Sequence, residues 1–159
     1  MIEEKLAALD LALPQPAEPA FHYVPVTIHG ATAYVSGQLP KVDGEVRCIG
    51  KVGAEVSVQE AAQAARICIL QGLACLKAAL GTLGRVERVL KVTGFVASAS
   101  GFNRQPEVID AASHLLIDLF GEAGRHARSA VGVAELPRNA PVEIEMIVAV
   151  KDYSRDGHA

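Results

Sequence analysis

The sequence predicts a two-layer α+β domain, a mixed β-sheet with two helices packed on one face. Three observations predict it. A long apolar segment, 57–81, carries helix start and stop signals and no internal proline. Short segments of alternating apolar residues, the pattern of half-buried strands, flank it on both sides. A second helical repeat interrupts the later strands, so the expected order is β-β-(β)-α-β-α-β-β. The 159 residues, 50% hydrophobic and 21% charged, suffice for one such core.

Each element has its own signal. Ile2, Leu6, Leu9 and Leu13 fall at helical spacing, and the prolines of 14–20 make that stretch a linker. We therefore expect an N-terminal appendage over 1–20, a main domain over 21–151 and a polar tail over 152–159. Val24, Val26 and Ile28 alternate, His29-Gly30 makes a turn, and an extended pattern resumes over 32–36, which reads as a hairpin. The segment 36–40 (SGQLP) breaks that strand. Asp43-Gly44 marks a second tight turn before a short strand over 46–49. Ser57 and Glu60 form a capping box at the start of the long helix, and Gly81 stops it. Its polar stripe, Gln59, Gln63, Arg66 and Lys77, is thin, so the helix is expected to be buried over much of its girth. A strand over 88–97 follows, then a loop. Pro106 opens a second helix that repeats through Ile109, Ala112, Leu116 and Leu119 and ends at Gly121.

Two final strands, 127–135 and 141–150, flank a turn over 136–140. Alternation places Val131 and Val133 in the core with Val142, Ile144, Met146, Val148 and Val150. Arg128, Ala130, Gly132 and Ala134 are then expected on the opposite face with Glu143 and Glu145. There a guanidinium and two carboxylates lie among small residues that leave room for a ligand. The plain alternative is a surface salt bridge between Arg128 and a glutamate, of little energetic weight.

Composition excludes some functions. A net charge of −3 argues against a general nucleic-acid binder. No apolar run approaches the ~20 residues of a membrane span. Glu3, Glu4 and Asp10 interrupt the N-terminal apolar pattern, unlike a secretory signal, so a cytoplasmic protein is expected. Cys48, Cys68 and Cys75 contain no C-x-x-C pair. Cys68 and Cys75 sit seven apart on a helix, about 10 Å, too far for a disulfide. All three are expected as small buried hydrophobes. The five histidines lack metal-ligand spacing and Gly81-Thr82-Leu83-Gly84 is no phosphate cradle, so no metal or nucleotide cofactor is expected. His22 and His126 flank Tyr23 and Arg128 in sequence, so either could reach the cleft, with solvated or capping roles the first expectation.

The run from His126 to Glu145, HARSAVGVAELPRNAPVEIE, resembles the C-terminal signature of the RidA/YjgF family, also labelled endoribonuclease L-PSP-like. Tyr23, thirteen residues before Ser36, matches the family's N-terminal signature, and KVTGFV over 91–96 is similar to its central strand. The resemblance covers about 21–150. It implies a chorismate-mutase-like fold assembled as a homotrimer, with clefts between subunits. It also implies cofactor-free hydrolysis of reactive enamine and imine acids, such as 2-aminoacrylate, to a 2-keto acid and ammonia. By this resemblance Arg128 pairs with a substrate carboxylate through its planar fork. Glu143 positions or deprotonates the attacking water, Tyr23 lines the pocket, and Ser36 and Gly37 supply polar wall and close backbone approach. Two positions depart from the family pattern. Ala130 stands where the best-known deaminases carry cysteine, and Ser113 stands nearest to their helix asparagine. A second reading keeps the cleft but only captures a small carboxylate. A third, ribonuclease, is weakened by the charge and by having only four Phe and three Tyr for base stacking.

Overall fold

A computed structural model describes residues 1–151. Its order is α1 (Ile2–Ala8), β1 (Val26–His29), β2 (Thr32–Gln38), β3 (Lys41–Val42), β4 (Glu45–Val46), α2 (Val58–Leu80), β5 (Val86–Ala97), α3 (Gln105–Phe120), β6 (Ala127–Val133) and β7 (Val142–Val150). Five strands form one sheet in the order β1-β2-β7-β5-β6. Only β5 and β6 run parallel, across the α3 crossover. The α+β class is the one expected from sequence, and the element order matches it except for β3, a second short strand before α2.

Local chemistry accounts for the boundaries. The Ser57 hydroxyl accepts from the Glu60 amide at 3.1 Å and the Glu60 carboxylate accepts from the Ser57 amide at 2.8 Å, which closes the capping box. Gly81, at φ 83°, ends α2 in a conformation that other residues rarely adopt. Asp43 and Gly44, both at positive φ, turn β3 into β4. The strand after that turn is Glu45–Val46, not 46–49, and Cys48 is exposed rather than buried. Cys68 and Cys75 are buried as expected, and burial pushes both thiols up. The first helix is shorter than its spacing suggested. It stops at Ala8, and Leu11 and Leu13 pack on the core from irregular chain. Leu6 is buried, and the Lys5 ammonium donates to the Leu119 carbonyl at 3.0 Å, so α1 rests against α3.

The core lies between the helices and one sheet face. Val35, Val92, Val96, Val142, Ile144, Met146, Val148 and Val150 point into it, against Ile69, Leu73, Leu76, Ile109, Leu115 and Leu116. Helix α2 is long and apolar enough to cross a membrane by length and composition, yet most of it is buried in this core. Helix α3 lies so close over β5 that a Cβ on Gly94 would overlap Ile109. Among the described residues the other sheet face has no helix, and Tyr34 and Val131 on it are 49% and 43% exposed.

Strand register overturns the expected faces of the last two strands. Arg128 pairs with Val92 and Ala130 with Gly94, while Glu143 pairs with Phe95 and Glu145 with Thr93. Paired residues share a face. Arg128, Ala130 and Gly132 therefore face the helix layer, whereas Val131 and Val133 share the open face with Glu143 and Glu145. The alternation was right but its phase on β6 was inverted. This edge strand puts small residues under the close helix α3 and its valines on the face without helices.

Candidate functional site

The sheet divides the predicted residues into two groups. The first surrounds a cavity of about 400 Å³ on the side of β2 and β7, where Tyr23, Ser36, Gly37 and Glu143 meet. A β-bulge builds it. Val35 pairs with Met146 but Gln38 pairs with Ile144, so β2 spends one extra residue over Ser36–Gly37. The bulge turns Ser36 and Gly37 toward the strand that carries Glu143. The fit is tight, since a Cβ on Gly37 would overlap the Glu143 carboxylate. The backbone at Gly37 thus approaches the Glu143 carboxylate closely.

Glu143 is half-buried, and among the described residues no donor reaches its carboxylate. Burial pushes its pKa up, and the neighbouring Glu145 charge adds to the shift. A carboxyl raised in this way sits closer to the range useful for a general base. The cavity wall also includes residues that sequence reasoning missed. The linker over 17–21 closes one side, and Arg138, held at φ 58°, reaches the other. Gln71, buried on α2, donates to the Lys41 carbonyl at 2.9 Å and lines the floor.

The second group surrounds Arg128 on the helix side of β6. Its Nη1 donates to Asp110 Oδ1 at 2.7 Å and to Ser113 Oγ at 3.1 Å, and Nη2 reaches the Pro106 carbonyl at 3.4 Å. Among the described residues the Nε–H has no acceptor. The Nε–H and the second Nη2 proton thus remain as donors for a carboxylate. The expected partner of a bland salt bridge was a glutamate of the same strand pair; the observed one is Asp110 on α3. Ser113 also meets His126, Oγ to Nε2 at 2.9 Å. Ala130 lies partly buried against the core beneath α3. Asp110 and His126 were not singled out as site residues, although the pattern contains them. Asp110 and Ser113 are three apart on one helix face, and His126 and Arg128 are two apart along an extended chain.

One chain does not bring Arg128 and Glu143 together. Strand β5 lies between β6 and β7. With strands about 4.8 Å apart, the two backbones are separated by roughly 10 Å, and the side chains leave opposite faces.

The family model described as YjgF/chorismate-mutase-like endoribonuclease matches residues 3–149. The chain belongs to the YjgF family. Within it, the chain is 44% identical over 152 residues to Protein TCP17 of Trypanosoma cruzi, across 95% of each sequence. It is 34% identical over 152 residues to a 2-iminobutanoate/2-iminopropanoate deaminase of Dermatophagoides farinae, across 95% of this chain and 100% of that one. A crystal structure of the protein Atu1372, of unknown function, from Agrobacterium tumefaciens superimposes with a TM-score of 0.89 at 48% identity, covering 94% of this chain and 92% of the other.

Proposed function

We propose that this YjgF-family chain hydrolyses small enamine and imine acids, of the 2-aminoacrylate and 2-iminopropanoate type, to 2-keto acids and ammonia. The observation that carries the reading is that the chain holds both a half-buried carboxylate in a cavity, unpartnered among the described residues, and a braced guanidinium that keeps its Nε–H free. The deaminase activity named for the Dermatophagoides farinae relative supports it.

In this reading the reacting cleft forms between copies of the chain. Arg128 sits on a sheet-edge strand, and the uncovered face carries Tyr34, Val131, Phe95 and Ile147. A homotrimer that buries this face brings Arg128 of one copy to the Glu143 cavity of the next. Arg128 holds the substrate carboxylate through its Nε–H and the second Nη2 proton. An enamine first takes a proton at its terminal carbon to become the iminium. Glu143 takes a proton from water as the oxygen attacks C2 of the protonated imine, which gives a neutral carbinolamine. Glu143 returns that proton to the nitrogen, then takes the hydroxyl proton as C=O forms and the C–N bond breaks, so that ammonia leaves with the 2-keto acid. Tyr23 and Ser36 give the cavity polar walls, and Gly37 leaves space for the carboxylate. No metal, nucleotide, membrane or nucleic-acid partner enters this scheme. The free thiols suit a reducing, cytoplasmic setting.

The test is a panel of imines made in situ from amino acids by an amino-acid oxidase. Added protein should speed release of keto acid and ammonia from the alanine- and serine-derived species. Rates equal to the uncatalysed hydrolysis across the panel would overturn the deaminase reading. Binding of 2-oxobutanoate without turnover would instead favour simple capture.

A further inference from the structure

The hydrogen bonds around Ser113 have a fixed direction. The Gly124 carbonyl lies 2.6 Å from His126 Nδ1 and can only accept, so Nδ1 carries the proton. In the neutral ring Nε2 is then a bare acceptor, and the Ser113 hydroxyl, 2.9 Å away, donates to it. With its single proton committed, Ser113 Oγ offers only lone pairs to the other side. Arg128 Nη1, at 3.1 Å, donates into them. Asp110 Oδ1 takes another Nη1 proton at 2.7 Å. The guanidinium is therefore held on two sides of one nitrogen, and the serine side is oriented by a histidine that does not touch it. Ser113 is almost fully buried and the Arg128 side chain is 21% exposed, so water competes weakly for these bonds. A concave surface lined by Ser113, Ile117, Arg125, His126 and Arg128 opens beside them.

We infer that His126 is a positioning residue: acting through the Ser113 hydroxyl, it fixes the plane of the Arg128 guanidinium and so sets affinity for the substrate carboxylate. The inference rests on the reading of Arg128 as the carboxylate clamp. It adds a residue that touches neither substrate nor Arg128. Without the imidazole acceptor, the Ser113 O–H is free to turn toward Arg128 and present a proton where a lone pair is needed. Glutamine at 126 can restore an acceptor close to the Nε2 position, and alanine cannot.

The experiment compares His126→Ala, His126→Gln, Ser113→Ala, the His126→Ala/Ser113→Ala double variant and Arg128→Ala. Calorimetry with 2-oxobutanoate gives affinity, imine turnover gives KM and kcat, and a ¹⁵N spectrum follows the Arg128 Nε–H. His126→Ala should weaken 2-oxobutanoate binding and raise KM by roughly 3- to 10-fold, with kcat changed by less than about 2-fold. Ser113→Ala should match it and the double variant should be no worse, because both changes cut one chain of bonds. His126→Gln should recover most of the loss and the wild-type Nε–H resonance. Wild-type affinity in a folded His126→Ala protein, additive losses, or a glutamine variant as weak as alanine would overturn the positioning role while Arg128→Ala still lost binding. If Arg128→Ala itself bound normally, the clamp reading would fall and this inference with it. Should His126→Ala lose its cooperative melt, Ser113→Ala and His126→Gln give the same decision.

Discussion

The two sides of this sheet hold charge in opposite ways. On the helix side, Arg128 is braced by Asp110, Ser113 and the Pro106 carbonyl. On the open side, Glu143 has no donor among the described residues and is pushed toward its neutral form by burial and by Glu145. A binding group gains from bracing, because a guanidinium already fixed in plane loses little freedom when a carboxylate docks. A proton-transfer group gains from the reverse, since a carboxylate satisfied by donors would be a poor base. The contrast matches the two roles assigned to them, and it can be broken by experiment at either residue.

The largest expected effect is at the base. Glu143→Gln keeps shape and hydrogen-bonding capacity but removes proton transfer. It should lower kcat for imine hydrolysis by about 10²- to 10⁴-fold, with 2-oxobutanoate affinity changed little and the melt intact. Loss of binding without loss of kcat would exchange the roles of the two sides. Next comes the clamp. Arg128→Ala and Arg128→Lys should both weaken 2-oxobutanoate by about ten- to over a hundred-fold, because lysine keeps the charge and loses the fork. A lysine variant close to wild type would show that charge, rather than the braced plane, carries recognition.

A third prediction concerns how the two sides meet. Val131→Asp places a charge on the open face, at a residue 43% exposed, so the isolated chain should fold normally. If that face is buried between copies, the variant should run as a monomer in light scattering and lose imine hydrolysis, while its secondary structure persists. A wild-type chain that is already a monomer at micromolar concentration would remove the shared cleft.

Much of this was legible in the sequence, and the exceptions share a cause. The capping box at Ser57, the stops at Gly81 and Gly121 and the apolar row of β7 depend on neighbours close in the chain. They were read correctly. The phase of β6 was not, because its valines serve an uncovered face and its small residues serve the close helix α3. Apolar-in, polar-out is a rule for one isolated layer, and here the close helix α3 takes the small residues of β6 and leaves its valines to the other face. Tyr23, Ser36, Gly37 and Glu143 come together through a bulge that no periodicity announces. Helix packing set Asp110 and Ser113 against Arg128, a tertiary fact that strand alternation could not contain.

The smallest expected effect sharpens the comparison most. In the unfolded chain Glu143 has an ordinary carboxylate acidity, and in the fold burial and Glu145 raise its pKa. The native state therefore binds this proton more tightly. Its contribution to stability is fully present below the ordinary carboxylate range and is lost as pH rises through the raised native value. Glu143→Gln has no such loss, so at pH 7 it should melt higher than wild type, by roughly 1–3 °C for a chain of this size. The difference should shrink toward zero as pH falls below about 4. Glu60 and Glu107, whose pKa values are held down by hydrogen bonds from Ser57 and Arg104, shape acid unfolding in the opposite sense, but equally in both proteins. Comparison at each pH cancels them. A variant that melts lower at pH 7 would mean that a cation holds the Glu143 carboxylate in the assembled protein. The nearest candidate in a shared cleft is Arg128 of a neighbouring copy, paired directly with Glu143 while substrate is absent. Substrate would then have to displace that ion pair, and added 2-oxobutanoate should raise the wild-type melt by competing for Arg128. If the variant melts higher, as expected, the two charges stay apart until substrate bridges them.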